Sequence, residues 1–176
     1  RALASALFHL ASHCWDTDRQ GGNDQLIEEQ RGLSGDDEEP ASVRYLGMVL
    51  ADAVLFRGLQ GDSWQVETLL EELRQLHRRR PLPEVAEWLA YGLHHQALRS
   101  GDPSASRRRE LLLDELRALM RRHPGSETAR PLALALRAIA RRADNAESAG
   151  AAKDELQAIV GLCGVEGLED LVEAAG

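Results

Sequence analysis

The feature that most constrains this chain is a stretch of 43 residues that recurs four times with matching apolar positions. Each copy has a leucine followed by a small residue, and further apolar residues come four and eight positions after the leucine. Spacings of three and four place these side chains on one face of a helix, and the small residue lets a neighbouring helix approach closely. The first two columns of the repeat are Leu3, Leu46, Leu89 and Leu132, then Ala4, Gly47, Ala90 and Ala133.

A second block repeats with the same offset. Residues 26–33 align with 69–76 and 112–119, and a last copy from Lys153 to Ile159 follows at an offset of 40. Each unit is therefore predicted to be a pair of helices. The first helices are predicted at about 2–15, 42–58, 83–99 and 127–143, and the second helices at about 23–33, 63–80, 107–122 and 147–160.

Glycine and proline mark the ends of these predicted helices. Gly61-Asp62-Ser63 separates the two helices of one unit, with a glycine terminator followed by N-capping side chains. Pro81, Pro83 and Pro124 separate one unit from the next. The acidic segment from Gly32 to Pro40 is predicted to be a solvated linker.

Composition supports an all-α fold. Aromatic residues make up only 4% of the chain, whereas leucine is abundant. Since strands need β-branched and aromatic side chains to pack a pleated surface, a β-sandwich or β-barrel is excluded and a mixed sheet is disfavoured. No apolar run has the length that crosses a bilayer, so no membrane span is expected.

Charge and cysteine usage narrow the class of protein further. The formal net charge of −8 provides no general attraction to nucleic acid, so no nucleic-acid partner is expected. Two cysteines far apart in sequence, Cys14 and Cys163, fit a reducing compartment, and we expect a cytoplasmic protein. Almost all basic residues are arginine, which points to a GC-rich, bacterial genome.

The repeat resembles the tetratricopeptide family, whose units end on proline and carry a leucine–small pair in the first helix. The matching strings are Val43-x2-Leu46-Gly47-x2-Leu50, Leu69-x3-Leu73 and Pro81, and the next units repeat them in part. The period of 43 exceeds the usual 34 and is shared by armadillo and HEAT repeats, but the closing proline favours the tetratricopeptide type. Small aliphatic residues replace the aromatic residues of the family pattern.

The resemblance implies one α-solenoid domain of about four stacked antiparallel helix pairs spanning residues 1–176. The units are about 1–40, 41–81, 82–124 and 125–160, with a short capping helix at 165–174. Such an array presents a concave face lined by first helices, and the expected function is non-catalytic binding of a protein or peptide. The predicted binding residues are Phe8, His9, Arg44, Met48, Asp52, Glu87, Tyr91, His94, His95, Arg130, Leu134 and Arg137.

Catalytic and metal-binding hypotheses have weaker support. His9, His13 and Cys14 supply an i, i+4 histidine pair and a thiol, but no second cluster with ligand spacing completes a zinc site. Arg107-Arg108-Arg109 is followed closely by acidic residues, which is typical of a solvated helix start. No nucleophile or phosphate-binding motif is present. We therefore expect no enzyme activity, cofactor or metal.

The alternative function is self-assembly, or a regulatory role within a longer protein, through the helical ends. In unit one, polar Gln30 stands where the equivalent positions hold Leu73 and Leu116. An incompletely covered first unit, with Phe8 and Trp15 nearby in sequence, could form a homodimer or contact another domain. The chain begins at Arg1 rather than methionine, which fits a fragment of a longer protein.

Overall fold

The described part of the chain is helical throughout. A computed structural model describes residues 20–36, 40–99, 106–143 and 146–163, and within these ranges no strand occurs. The helices of these ranges are α1 (Gln20–Asp36), α2 (Pro40–Leu59), α3 (Ser63–Arg79), α4 (Pro83–Arg99), α5 (Ser106–Arg122), α6 (Ser126–Arg142) and α7 (Ala146–Cys163).

These bounds confirm the predicted all-α class and follow the predicted helix pairs closely. The predicted helix 2–15 and the predicted capping helix 165–174 lie outside the described residues. One boundary is corrected: α1 continues through Gly35 to Asp36, although Gly32 to Pro40 was predicted to be a linker. None of the described helices combines the length and the apolar character needed to cross a membrane.

The turn between α2 and α3 shows how local sequence sets a helix boundary. Gly61 has a φ of 82°, a conformation that residues with a Cβ rarely adopt. The Asp62 amide donates to the Arg57 carbonyl and the Gly61 amide donates to the Gly58 carbonyl, which together form a Schellman motif. The Asp62 side chain then accepts from the Gln65 amide at 3.1 Å and caps α3.

The chain divides into two compact units, residues 1–92 and 93–176. In the first unit, α2 packs against α1 and α3. Gly47 marks the approach of three helices, because a Cβ there would lie 3.4 Å from Trp88 of α4 and 3.8 Å from Leu76 of α3. Near the middle of α3, a Cβ on Gly92 of α4 would lie 3.0 Å from Leu70. Helices α2 and α4, which are the first helices of two consecutive copies of the repeat, therefore form one layer that packs on α3.

The second unit has the same kind of packing between consecutive helices. Here α6 packs against both α5 and α7. The Arg142 guanidinium of α6 donates to the Leu98 carbonyl at 3.0 Å, and the ring of His94 bonds to the Pro131 backbone. The last turns of α4 therefore lie beside α6. Within each unit, the packing of neighbouring helices is consistent with a helical repeat.

Burial follows the 43-residue register. All described members of the leucine and small-residue columns are buried, from Leu46 and Gly47 in α2 to Leu132 and Ala133 in α6. The second helices share a column of fully buried side chains, namely Gln30, Leu73, Leu116 and Leu156. The repeat columns are thus the core of both units.

Two ion pairs join second helices at equivalent register positions. Arg31 of α1 donates Nε and Nη2 to both oxygens of Glu72 of α3, at 2.8 and 2.6 Å. In the second unit, Arg117 of α5 makes the same two-bond contact with Glu155 of α7, at 2.7 Å for each bond. Glu72 and Glu155 therefore each bridge two neighbouring second helices.

We expect the Arg117–Glu155 pair to contribute measurably to stability. A double-mutant cycle with Arg117→Met and Glu155→Gln should give a coupling energy of about 1 kcal/mol, because the contact is bidentate and only partly exposed. The Arg78–Glu71 pair is a matched comparison: it makes one bond at 2.6 Å, and its side chains are 60% and 47% exposed. Its cycle should give a coupling near zero in urea unfolding, and equal couplings would contradict the argument.

Candidate functional site

Helix α2 is buried on most of its circumference and leaves one half-exposed stripe. Its less buried side chains recur at intervals of three and four residues, which places them on one side of the helix. Away from the helix ends they are Arg44, Tyr45, Met48, Asp52, Leu55 and Phe56, of which Arg44 is exposed and the rest half-buried.

Helix α4 has a matching stripe in the first unit, formed by the half-buried side chains of Glu87, Trp88 and Tyr91. Trp88 joins the two stripes because its ring lies beside Gly47, the residue before Met48. The rings of Trp88 and Tyr91 are 5.9 Å apart at an interplanar angle of 34°, within the range of favourable aromatic pairs. We call the two stripes together the aromatic face.

The aromatic face concentrates a residue type that is scarce in this chain. Four of the five aromatic residues in the described part of the chain, Tyr45, Phe56, Trp88 and Tyr91, lie on it and are half-buried. The indole Nε1 of Trp88 is buried and has no hydrogen-bond partner in the described ranges. The remaining one, Trp64, is 76% exposed at the start of α3.

The predicted binding residues of the first unit lie on this face. Arg44, Met48 and Asp52 belong to its α2 stripe, and Glu87 and Tyr91 belong to its α4 stripe. Phe8 and His9 lie outside the described residues.

In the second unit the predicted residues form a more basic set. On α6, Arg130 is exposed, and Leu134 and Arg137 are half-buried at spacings of four and three, so these three side chains share one side of the helix. His95 of α4 is half-buried. His94 was also predicted to be a binding residue, but its side chain is only 6% exposed and is packed inside the unit. We therefore leave His94 out of the candidate surface.

Asp52 is the electrostatically unusual residue of the aromatic face. It is half-buried, and none of the described residues forms an ion pair or hydrogen bond with it. Desolvation by burial raises the pKa of Asp52 from 3.8 to about 6. Its charged form is therefore held at an energetic cost in the folded protein.

This cost gives a pH-dependent prediction for Asp52→Asn. Because the folded pKa lies above the unfolded value, the stabilising effect of the aspartate is present below pH 3.8 and is lost as the pH rises through about 6. At pH 8 the Asn variant should be more stable than the wild type by about 1–2 kcal/mol, allowing for solvent screening. Urea unfolding at pH 8 and pH 4 should show this advantage disappearing at the lower pH.

The control for this prediction is Glu29→Gln, which removes one charge from an exposed position on α1. Its free energy of unfolding should stay within about 0.5 kcal/mol of the wild type at both pH values. A destabilised Asp52→Asn variant at pH 8 would show that the carboxylate has a stabilising partner.

A cleft of about 410 Å³ lies between α1 and α3. The buried Arg57 is on its wall and bonds to Asp24 at 2.6 Å, and Arg31 bonds to Glu72. Trp64 also lines it. Since both arginines already bond to carboxylates of the chain, this cleft is a poorer candidate for recognising a charged ligand than the aromatic face.

Comparison with known proteins adds no relative. No protein-family model, curated protein sequence or solved structure matches the chain. In the described part of the chain, no group of three or more His, Cys, Asp or Glu side chains is placed to hold a metal ion.

Sequence analysis missed four members of this face: Tyr45, Leu55, Phe56 and Trp88. The sequence did contain a signal for these residues, because Tyr45 and Trp88 occupy the same position of the 43-residue register. Leu55 and Phe56 follow Met48 by seven and eight residues, which is helical spacing for one side of α2. Extending the stripe from Met48 in both directions would have found them.

Proposed function

We propose that this chain is a non-catalytic scaffold that binds a peptide or a protein segment on the aromatic face. The proposal takes the chain as a tetratricopeptide-like α-solenoid, in which first helices line the binding surface. The repeat register and the packing of α2 and α4 in one layer support this interpretation. The proposed binding residues all lie on first helices, and the cleft between α1 and α3 is not part of the proposed site.

The observation that carries the proposal is the concentration of half-buried aromatic side chains on the aromatic face. The core columns hold mainly leucine and alanine, whereas these rings lie at the edge of the core with part of their surface open. Rings that keep part of their surface open supply large, rigid contact area, and such residues dominate binding energies at interfaces. Tyr91, whose ring pairs with that of Trp88, and Met48 on the α2 stripe are therefore the expected anchors.

The test selects linear peptides from a random display library on the purified chain and measures their dissociation constants by fluorescence anisotropy. Tyr91→Ala should weaken binding of the selected peptides by roughly thirtyfold and Met48→Ala by a smaller factor, because truncating a central anchor costs about 2 kcal/mol. Trp64→Ala is the matched control, since it removes an exposed aromatic ring outside the aromatic face. Its affinity should equal that of the wild type.

Two results would overturn the proposal. One is that selected peptides bind Tyr91→Ala and Met48→Ala as tightly as the wild type. The other is that Trp64→Ala is the variant that loses binding, which would place the site at the start of α3. If selection yields no binder and the mass in solution rises with protein concentration, the alternative of self-assembly is favoured instead.

A further inference from the structure

Asp52 lacks a cation that could neutralise it within the described part of α2. Arg44 precedes it by eight residues on the same stripe, which is about 12 Å along the helix axis. Arg57, five residues after Asp52, is buried and bonds to Asp24 at 2.6 Å. The nearest arginines in sequence are thus either distant or already paired.

The surroundings of Asp52 on the aromatic face suit the side chain of a lysine or arginine. Met48 lies one turn before Asp52 and Phe56 one turn after it, and both are half-buried. Long basic side chains place their aliphatic stems on apolar surface and keep the charged end free to pair. Aromatic rings add a favourable interaction with a cation placed over the ring.

Among the described residues no cation pairs with the half-buried carboxylate of Asp52, and a ligand cation would offset the cost of burying that charge. We infer that Asp52 selects the ligand of the aromatic face: a peptide segment whose lysine or arginine pairs with Asp52 and lies between Met48 and Phe56. This inference deepens the proposed function and depends on it. The peptide supplies apolar side chains for the rest of the face, including Tyr91.

General attraction by the acidic chain has to be separated from pairing with Asp52. A net charge of −8 favours basic peptides at any position of the surface. Glu29→Gln lowers the negative charge by the same amount as Asp52→Asn, but at an exposed site on α1. The difference between these two variants therefore reports the local pairing.

The experiment uses two forms of the tightest selected peptide, one with its lysine or arginine and one with norleucine there, which keeps the aliphatic stem without the charge. The basic peptide should bind the wild type about tenfold more tightly than the norleucine form, since a charge-assisted hydrogen bond contributes at least this factor. Asp52→Asn should abolish that preference, whereas Glu29→Gln should retain it. Selection on Asp52→Lys should enrich peptides containing aspartate or glutamate.

Failure of this inference can be told apart from failure of the proposed function. If selected peptides contain no excess of lysine or arginine, or bind Asp52→Asn as they bind the wild type, Asp52 does not select the ligand. The proposed function still holds in that case if Tyr91→Ala abolishes binding. Urea unfolding of Asp52→Asn at the pH of the binding assay shows whether the variant is folded, so that weaker binding can be separated from unfolding.

Discussion

Replacing Leu116 with alanine is expected to lower the free energy of unfolding by about 3 kcal/mol. Leu116 lies on α5 with no exposed surface, and the equivalent positions on the other second helices, Leu73 and Leu156, are equally buried. Truncation removes apolar contacts and leaves a cavity that the packed helices fill only in part. Urea unfolding followed by circular dichroism would measure the loss.

Leu111→Ala is the matched control, because Leu111 is on the same helix but is 62% exposed. Its free energy of unfolding should stay within about 0.5 kcal/mol of the wild type. Comparable losses for the two leucines would show that the buried column of the second helices is not the core of this unit.

Helix positions were predictable because their signals are local. The Gly61-Asp62-Ser63 segment was expected to end one helix and cap the next, and both roles are seen in its hydrogen bonds. Helix α4 was predicted at 83–99 and is observed at Pro83–Arg99. Proline, glycine and capping residues act on their own backbone, so their effect needs no knowledge of distant parts of the chain.

Features that depend on neighbouring helices were missed or misplaced. Arg31 and Glu72 lie within the aligned segments 26–33 and 69–76, but only the packing of α1 beside α3 shows that they form an ion pair. His94 was placed on an open face because it follows the register of Phe8 and Arg137, yet it is buried. Helical spacing gives the direction of a side chain around its own helix, and the position of the adjacent helix decides its burial.

At the aromatic face, too, some features follow from the local sequence and others only from the packing of neighbouring helices. Asp52 was predicted from its column, but its unusual pKa arises from desolvation that only the packed structure reveals. Conversely, Tyr45 and Trp88 share a column and could have been recognised from the sequence. The composition of the face was thus accessible from the register, whereas its electrostatics were not.

The second large expected effect is a loss of folding stability on mild acidification, caused by protonation of His94. Burial, reinforced by repulsion from the His95 ring 5.1 Å away, lowers the pKa of His94 from 6.5 to about 4, against an opposing contribution from its bond to the Pro131 backbone. The unfolded chain therefore takes up a proton near pH 6.5, and the folded chain does so only near pH 4. Stability from neutral His94 is complete above pH 6.5 and falls as the pH decreases towards 4.

The expected loss from His94 is about 3 kcal/mol across this window, since each pKa unit corresponds to about 1.4 kcal/mol. Urea unfolding at pH 7.5 and pH 4 should show a smaller loss for His94→Gln than for the wild type. Asp52 opposes this loss, because its raised pKa stabilises the fold as the pH falls through about 6. The comparison is therefore made in the Asp52→Asn background as well, where the His94 effect should be fully visible. An NMR titration midpoint of His94 near 6.5 in the folded protein would contradict the argument, because an imidazole that keeps its ordinary pKa on burial cannot make stability depend on pH.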